Sequence, residues 1–395
     1  MHDIRDEGIK QPEQFAKIPA PTQKFCDTAI QYVLKKIDES LDIFTDKFPA
    51  PASENLVYPT IDNVEWTTSF WTGMLWLAYE VTGDKKYRTV AERNLESFAE
   101  RIDKKQHVDH HDLGFLYTLS GVSAYKLTGN EKAKKAALQA ADHLITRYFD
   151  KAGIIQAWGD LSNPEQRGRM IVDCLMNLPL LYWAAEVTGD RKYHDIAQTH
   201  ARQTIRHIVR EDASTFHTFY MDVDTGAPKY GKTQQGYSDD SSWARGQAWA
   251  IYGFPLSYRY LKEWDLIELA QKVANYFLNR LPEDSVAYWD LIFTEGDEER
   301  DSSSASIAAC GLLELAKYLP LTNPYRQTYE QAAAAMVRSL AESYTTVDHP
   351  ESNGLLMHAV YSKRRNRGVD ECSIWGDYYY FEALVRLRQD WQLYW

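Results

Sequence analysis

Three stretches of the chain repeat one pattern, and that echo constrains the fold more than any other feature. WLAYEVTGDKKY spans 76–87, GVSAYKLTGNEKA begins at Gly121, and LLYWAAEVTGDRKY spans 180–193. Each reads as an amphipathic helix that ends in Thr-Gly-Asp/Asn and is followed at once by a second helix with polar spacing. Gly83, Gly129 and Gly189 suit the left-handed helix terminus, and the Asp or Asn that follows can cap the next helix. Each unit is therefore a helical hairpin with a very short turn. Looser copies follow at 243–262 with 264–281 and at 304–319 with 324–344, and the last apolar helix spans 372–389. A helix over 22–44 stands at the start without a partner. Strand-like alternation is nearly confined to short pieces such as 216–221.

The apolar helices number six, starting near 66, 113, 170, 243, 304 and 372, with six polar-faced helices between and around them. A period of this length warns of a repeat architecture. An open solenoid would need a polar capping repeat at its ends, and the apolar helices here look alike from first to last. They are also more hydrophobic than their partners, as expected when one ring lies inside another. The expectation is an all-α fold, an (α/α)6 barrel of six inner and six outer helices, with 1–395 as a single catalytic domain and 1–20 as an N-terminal extension. Because the inner helices all run the same way, their N-terminal ends gather at one mouth. That arrangement puts Trp66, Asp112, Asp173, Arg245, Ser304 and Trp375 around one funnel.

A net charge of -12 argues against a nucleic-acid partner or an anionic membrane surface, although a local Arg can still reverse the field in a pocket. The aromatic share is 13%, with 12 Trp and 26 Tyr, enough for a large aromatic core or for platforms under flat ligands. Cys26, Cys174, Cys310 and Cys372 lie far apart, form no CxxC pair and read as reduced. The N-terminus MHDIRDEGIKQPEQ is polar, without an apolar signal core, and no apolar run approaches a membrane span. These features predict a cytoplasmic protein.

Two carboxylates stand where they must lose water. In HHDLGFLY (110–117), Asp112 heads an apolar run; in IVDCLMNLPLLYW (171–183), Asp173 is the one ionisable side chain. Asp112 reads as an N-cap or as a reaction partner. His110 and His111 beside it read as solvated or packed, with no third ligand close enough to make a metal site. Asp173 lies four residues after Arg169 and four before Asn177, which would place all three on one helix face. It is then either paired with Arg169 or a carboxylic acid of raised pKa, able to give its proton away. In SSWARGQAW (241–249), Ser241 or Ser242 can cap the helix, and Arg245 and Trp249 share a face suited to a ligand with a carboxylate and a flat sugar ring. His217 and Gln235 flank the same mouth in a loop. No GxGxxG, Walker loop, HExxH or GxSxG appears.

HHDLGF, RMIVDCLMNLPLLYWA, YSDDSSWARGQAWAIYG and GVDECSIWGDYYYFEAL together resemble the unsaturated glucuronyl hydrolases of glycoside hydrolase family 88, from about 66 to 379. The resemblance implies an (α/α)6 barrel acting on an unsaturated uronate-containing oligosaccharide, with no metal and no cofactor. It implies hydration of the C4=C5 vinyl ether left by polysaccharide lyases, rather than attack at the anomeric carbon. Asp173 would protonate C4 and help deliver water to C5, and Asp112 would assist. Trp66 and Trp158 would face the sugar, Trp249 would stack near it, Arg245 would sit near the uronate, and His217 and Gln235 would hold hydroxyl or water. Members of the family acting on sulfated disaccharides carry Ser and Lys near the second sugar; in YSKRRNRGVDE only Ser362 matches that pattern, with Arg365 and Arg367 as candidate replacements. The rivals are an unsaturated rhamnogalacturonyl hydrolase acting on pectin fragments, an inverting glycosidase on the same barrel, and a non-catalytic helical-repeat binding protein.

Overall fold

A computed structural model describes residues 3–395. Twelve long helical segments alternate between two concentric rings. The inner ring comprises Thr68–Thr82, the broken segment 113–128, the segment 174–188, Ala244–Leu261, Ser302–Tyr318 and Ile374–Arg388. The outer ring comprises Gln23–Ser40, Lys85–Asp103, Glu131–Ile145, Arg191–His207, Asp265–Leu278 and Arg326–Ser343. Burial follows composition. Thr68–Thr82 is buried on every side from Thr68 to Ala78, whereas Lys85–Asp103 buries one stripe that includes Tyr87, Leu95 and Phe98.

The repeated turns form as their residues dictate. Gly83, Gly129 and Gly189 sit at φ 71°, 68° and 74°, and each donates its N–H to a carbonyl four residues back. Asp84, Asn130 and Asp190 then accept from the first-turn N–H groups of the next helix. In the fourth hairpin Lys262 takes the left-handed position at φ 57°. Asn130 is the fullest cap, accepting from both Lys132 and Ala133. Asn130→Ala is expected to cost about 1 kcal/mol in urea unfolding and to leave kcat unchanged, because the turn lies at the far end of the barrel from the mouth.

The ring closes through the chain ends. Gln23–Ser40 packs on Ile374–Arg388 and so is the outer partner of the last inner helix; that helix in turn lies against Thr68–Thr82. The helix at 22–44, unpartnered in the sequence pattern, therefore pairs with a segment more than 300 residues away, which no local signal could announce. The N-terminal residues pack on the outside, with Ile4, Ile9 and Phe15 buried. Among the described residues no helix is long and apolar enough to cross a membrane. All four cysteines are unpaired and buried.

Two inner helices are interrupted near the mouth. The second runs Leu113–Tyr117, passes through a π-helical turn at Thr118–Val122 and resumes at Ser123–Thr128. The third is Cys174–Asn177 followed by Pro179–Thr188. Arg169 does not belong to it. Arg169–Ile171 is a strand, antiparallel to Thr218–Met221, which pairs in turn with Pro228–Lys232. This small sheet rims the mouth, together with a hairpin of Ala359–Ser362 and Arg367–Glu371. At the opposite end the tail after residue 388 turns inward: Trp395 is buried, stacks on Tyr379 at 6.0 Å and donates its indole N–H to Glu382. The barrel interior is thus filled from below and open above.

Candidate active site

Gly114 explains how the two acids meet. A Cβ at this position would lie 2.2 Å from the Asn177 Cα, so only glycine lets the second inner helix press its first turn against the third. Asn177 secures the contact, accepting the Phe115 N–H through Oδ1 at 2.9 Å and donating from Nδ2 to the Asp173 carbonyl. Asp112 and Asp173 each stand in the N-cap position of their helices, yet neither side chain makes a capping hydrogen bond. Both carboxylates are left for other work. One oxygen of each, with a ring nitrogen of His111, all lie within 4.8 Å of one another.

Burial pushes the Asp173 carboxyl well above its ordinary range; the Asp112 charge pushes it further, against an opposing pull from Arg245. Burial also acts on Asp112, but His111, His110 and a hydrogen bond involving Asn177 outweigh it and hold that group low. The two environments thus pull the pair apart, Asp173 toward the protonated acid and Asp112 toward the carboxylate. His111 Nε2 lies 3.3 Å from Asp173 Oδ1 and 3.5 Å from Asp112 Oδ1. His111 is packed rather than solvated, and the sequence reading is corrected in one respect: Asp173 is a third potential ligand near it and Asp112. With Asp173 protonated, however, the trio carries one negative charge, which suits proton transfer better than holding a divalent cation.

These acids lie in a cavity of about 350 Å³ at the mouth. All eleven residues singled out from sequence line it: Asp112, Asp173, Trp66, Trp158, His217, Gln235, Arg245, Trp249, Ser362, Arg365 and Arg367. Ser304 does not, because its hydroxyl turns back to the Asp301 carbonyl. Nor does Trp375, which stacks behind Trp66 at 5.4 Å. His217 Nδ1 accepts from the backbone N–H of Gln234 and Gln235, so its proton is on Nε2; burial, then Arg245 and Arg365, lower its pKa to about 3.

Several local expectations are corrected. Arg169 does not pair with Asp173: its guanidinium lies 3.5 Å over the Trp158 ring, and its Nε donates to the Tyr220 hydroxyl. The strand register, not a helix face, decides this. Arg245 does not act with Trp249 as one open ligand face. It is sandwiched between Trp243 (4.3 Å) and Trp375 (4.9 Å), and its terminal nitrogens donate to Asp301, Gln235 and the carbonyls of Val360 and Tyr361. Its charge is neutralised within the protein, so it braces the wall more than it clamps a ligand. Neither Ser241 nor Ser242 caps the helix that begins at Ala244; they bond Asp290 and Gln247 instead.

Trp66 donates to the Tyr361 hydroxyl at 3.0 Å, and Trp249 forms the floor with Phe115 at 5.2 Å. Ser362 is buried, and its hydroxyl is without a partner. Of the four bases at 363–367, Lys363 pairs with Glu299 and Arg364 reaches the Thr233 carbonyl. Arg365 and Arg367 remain exposed on the cavity rim, Arg367 lying 4.6 Å over the Tyr361 ring and 3.4 Å from Glu65. Sequence reasoning passed over Trp243 and Tyr361 and gave His111 no part in the chemistry. His111 adjoins Asp112 and Tyr361 adjoins Ser362 in the chain, and that adjacency was the available signal.

An (α/α)6 barrel that holds a carboxyl pair and an aromatic-walled cavity at one mouth defines a carbohydrate-active hydrolase. The chain belongs to Glycosyl Hydrolase Family 88, whose family model matches residues 36–380. It is 50% identical over 390 residues to the unsaturated chondroitin disaccharide hydrolase of Streptococcus pneumoniae, covering 98% of each chain. The crystal structure of unsaturated glucuronyl hydrolase from Streptococcus agalactiae superposes with a TM-score of 0.98 at 49% identity, covering 100% of both chains. A mutant of that enzyme complexed with dGlcA-GalNAc6S gives 0.90 at 46% identity, again over 100% of both.

Proposed function

We propose that the protein removes the 4,5-unsaturated uronic acid from the non-reducing end of lyase-generated glycosaminoglycan oligosaccharides of chondroitin or hyaluronan type. The observation that carries this reading is Asp173, buried with one carboxylate oxygen within 4.8 Å of an oxygen of Asp112 and a ring nitrogen of His111, in a cavity walled by tryptophans. A vinyl ether needs one proton to react. Asp173 gives its proton to C4, and the ring oxygen stabilises the positive charge that appears at C5. Water adds to C5 and releases a proton, for which the Asp173 carboxylate is the acceptor. The resulting hemiketal opens to a C5 ketone, and the exposed hemiacetal at C1 collapses to release the next sugar. Trp66, Trp158 and Trp249 offer faces to the sugar rings. His217 Nε2–H and the Gln235 amide supply neutral donors for the uronate and its hydroxyls, with Arg245 bracing Gln235 from behind. No cofactor takes part in this scheme.

Residues 1–395 act as one catalytic domain in this reading. It is a cytoplasmic enzyme, a placement supported by four buried unpaired thiols, which suit a reducing compartment. The relatives' names at about half identity support the glycosaminoglycan fragment as substrate. The two exposed arginines on the rim, of which Arg367 also faces Glu65, favour a sulfated second sugar over the neutral rhamnose of pectin fragments. The test follows ultraviolet absorbance of the conjugated double bond across a panel of unsaturated disaccharides. Loss of absorbance with chondroitin and hyaluronan fragments is expected, and loss confined to rhamnogalacturonan fragments would contradict the assignment. Arg365→Ala with Arg367→Ala is expected to raise KM for a sulfated disaccharide about 10-fold, as for loss of an exposed charge-assisted contact. KM for the unsulfated disaccharide should hardly change. An equal effect on both substrates, or none on either, would remove the arginines from sulfate recognition.

A further inference from the structure

Behind the acid pair lies a second buried histidine that the mechanism does not use. His200 sits in the helix Arg191–His207 and is fully buried. Its Nδ1 accepts the Ile155 N–H at 2.9 Å, which fixes the ring proton on Nε2. That Nε2–H has no hydrogen-bond partner. Two residues along the same stretch, the Ala157 carbonyl accepts the His111 N–H at 2.7 Å. In an extended segment the N–H of residue 155 and the carbonyl of 157 point to the same side. His200 and His111 therefore line one edge of this stretch. Thr204, one turn after His200, reaches Cys174 at 3.2 Å, so the helix packs against the residue that follows the acid. The Nδ1 of His111 is buried and likewise without a partner.

We propose that His200 is a positioning residue whose Nε2–H supplies the donor for His111 Nδ1 across one water, and so holds His111 in the neutral tautomer that turns Nε2–H toward Asp112 and Asp173. One unpaired donor and one unpaired acceptor, both buried and near enough for His111 to act electrostatically on His200, are each costly alone and complementary together. The inference rests on Asp173 as the proton donor. An imidazolium beside it would favour its carboxylate and abolish the acid. A donor already facing His111 Nδ1 opposes that protonation, because a second N–H there would meet the first head-on.

The other charged or titratable neighbours of His111 are His110 and Asp112 in its own segment, Asp173 on the third inner helix and Arg147 at the end of an outer helix. Burial, the largest influence, with His110 and Arg147, outweighs the pull of Asp112 and lowers the His111 pKa to about 4. His200 is lowered to about 3 by burial and then by His111. Both rings are neutral above these values.

The test reads the imidazole nitrogens of the intact protein by nitrogen-15 NMR, then kinetics of His200→Asn and His200→Gln. Asn can still accept from Ile155 N–H but lacks a donor at the Nε2 position; Gln can place an amide N–H there. Wild type should show His111 protonated on Nε2 and bare on Nδ1. His200→Asn should lower kcat about 10-fold, the scale of a lost outer-shell partner, and should keep KM within about twofold. It should also move the basic limb of the kcat profile to lower pH, because a more readily charged His111 stabilises the Asp173 carboxylate. His200→Gln should recover most of the loss. A wild-type His111 protonated on Nδ1 would overturn the proposal, even if His200→Asn failed to fold. So would a folded His200→Asn with unchanged kcat and pH profile. The spectrum does not depend on turnover, so a failure of the Asp173 reading would appear in kinetics alone and be told apart.

Discussion

Asp173→Asn is expected to lower kcat by about 10³-fold or more, near the upper range for a positioned proton donor, with KM for the unsaturated disaccharide little changed. Asparagine keeps the shape and has no proton to give. The pH dependence follows from the same environment. Wild-type activity needs protonated Asp173, so it is present at low pH and lost as pH rises through the raised folded pKa. Asp112→Asn removes the neighbouring charge that helps raise it, so the basic limb should move to lower pH in that variant. Stability carries a matching sign. The folded pKa of Asp173 stands above its ordinary value of 3.8. Its contribution to stability is therefore full below that value and is lost as pH rises through the folded pKa. Asp173→Asn should remove this part of the loss. An Asn variant that retained wild-type kcat would exclude Asp173 as the acid.

Gly114→Ala should damage fold and activity together. The added Cβ would lie 2.2 Å from the Cα and 2.4 Å from the carbonyl oxygen of Asn177, both backbone atoms that cannot rotate away. The inner helices must separate, at a cost of about 1–3 kcal/mol in urea unfolding. Separation also pulls Asp112 from Asp173, and a shift of about 1 Å at reacting groups can lower kcat on the order of 10²-fold. Gly83→Ala is the control. It meets nothing within 4 Å, and its φ of 71° is the only strain. It should cost about 1 kcal/mol and leave kcat intact. Equal behaviour of the two variants would mean that the close helix contact does not set the acid pair.

The hairpins were legible because their signals are local: a left-handed glycine, a capping Asp or Asn, and two helix periods of different polarity. The acids were legible as charges stranded in apolar runs. Arg245 was recognised, but its partners were not, because Asp301, Val360 and Tyr361 reach it from over 50 residues away. Arg169 was placed on a helix because four-residue spacing suggests one, while sheet pairing with Thr218–Met221 prevailed. In sequence alone His111 reads as either solvated or packed. Its burial depends on Ala157 and on the third inner helix, neither of which its neighbours in sequence reveal.

The central claim is that water adds across C4=C5 and that the anomeric carbon is not attacked. Running the reaction in D₂O and reading the first-formed product by proton NMR tests it most directly. Hydration predicts one deuteron delivered to C4 on a single face, with the double bond gone as the second sugar is released. Release of that sugar with C4=C5 intact and C4 unlabelled would contradict the account.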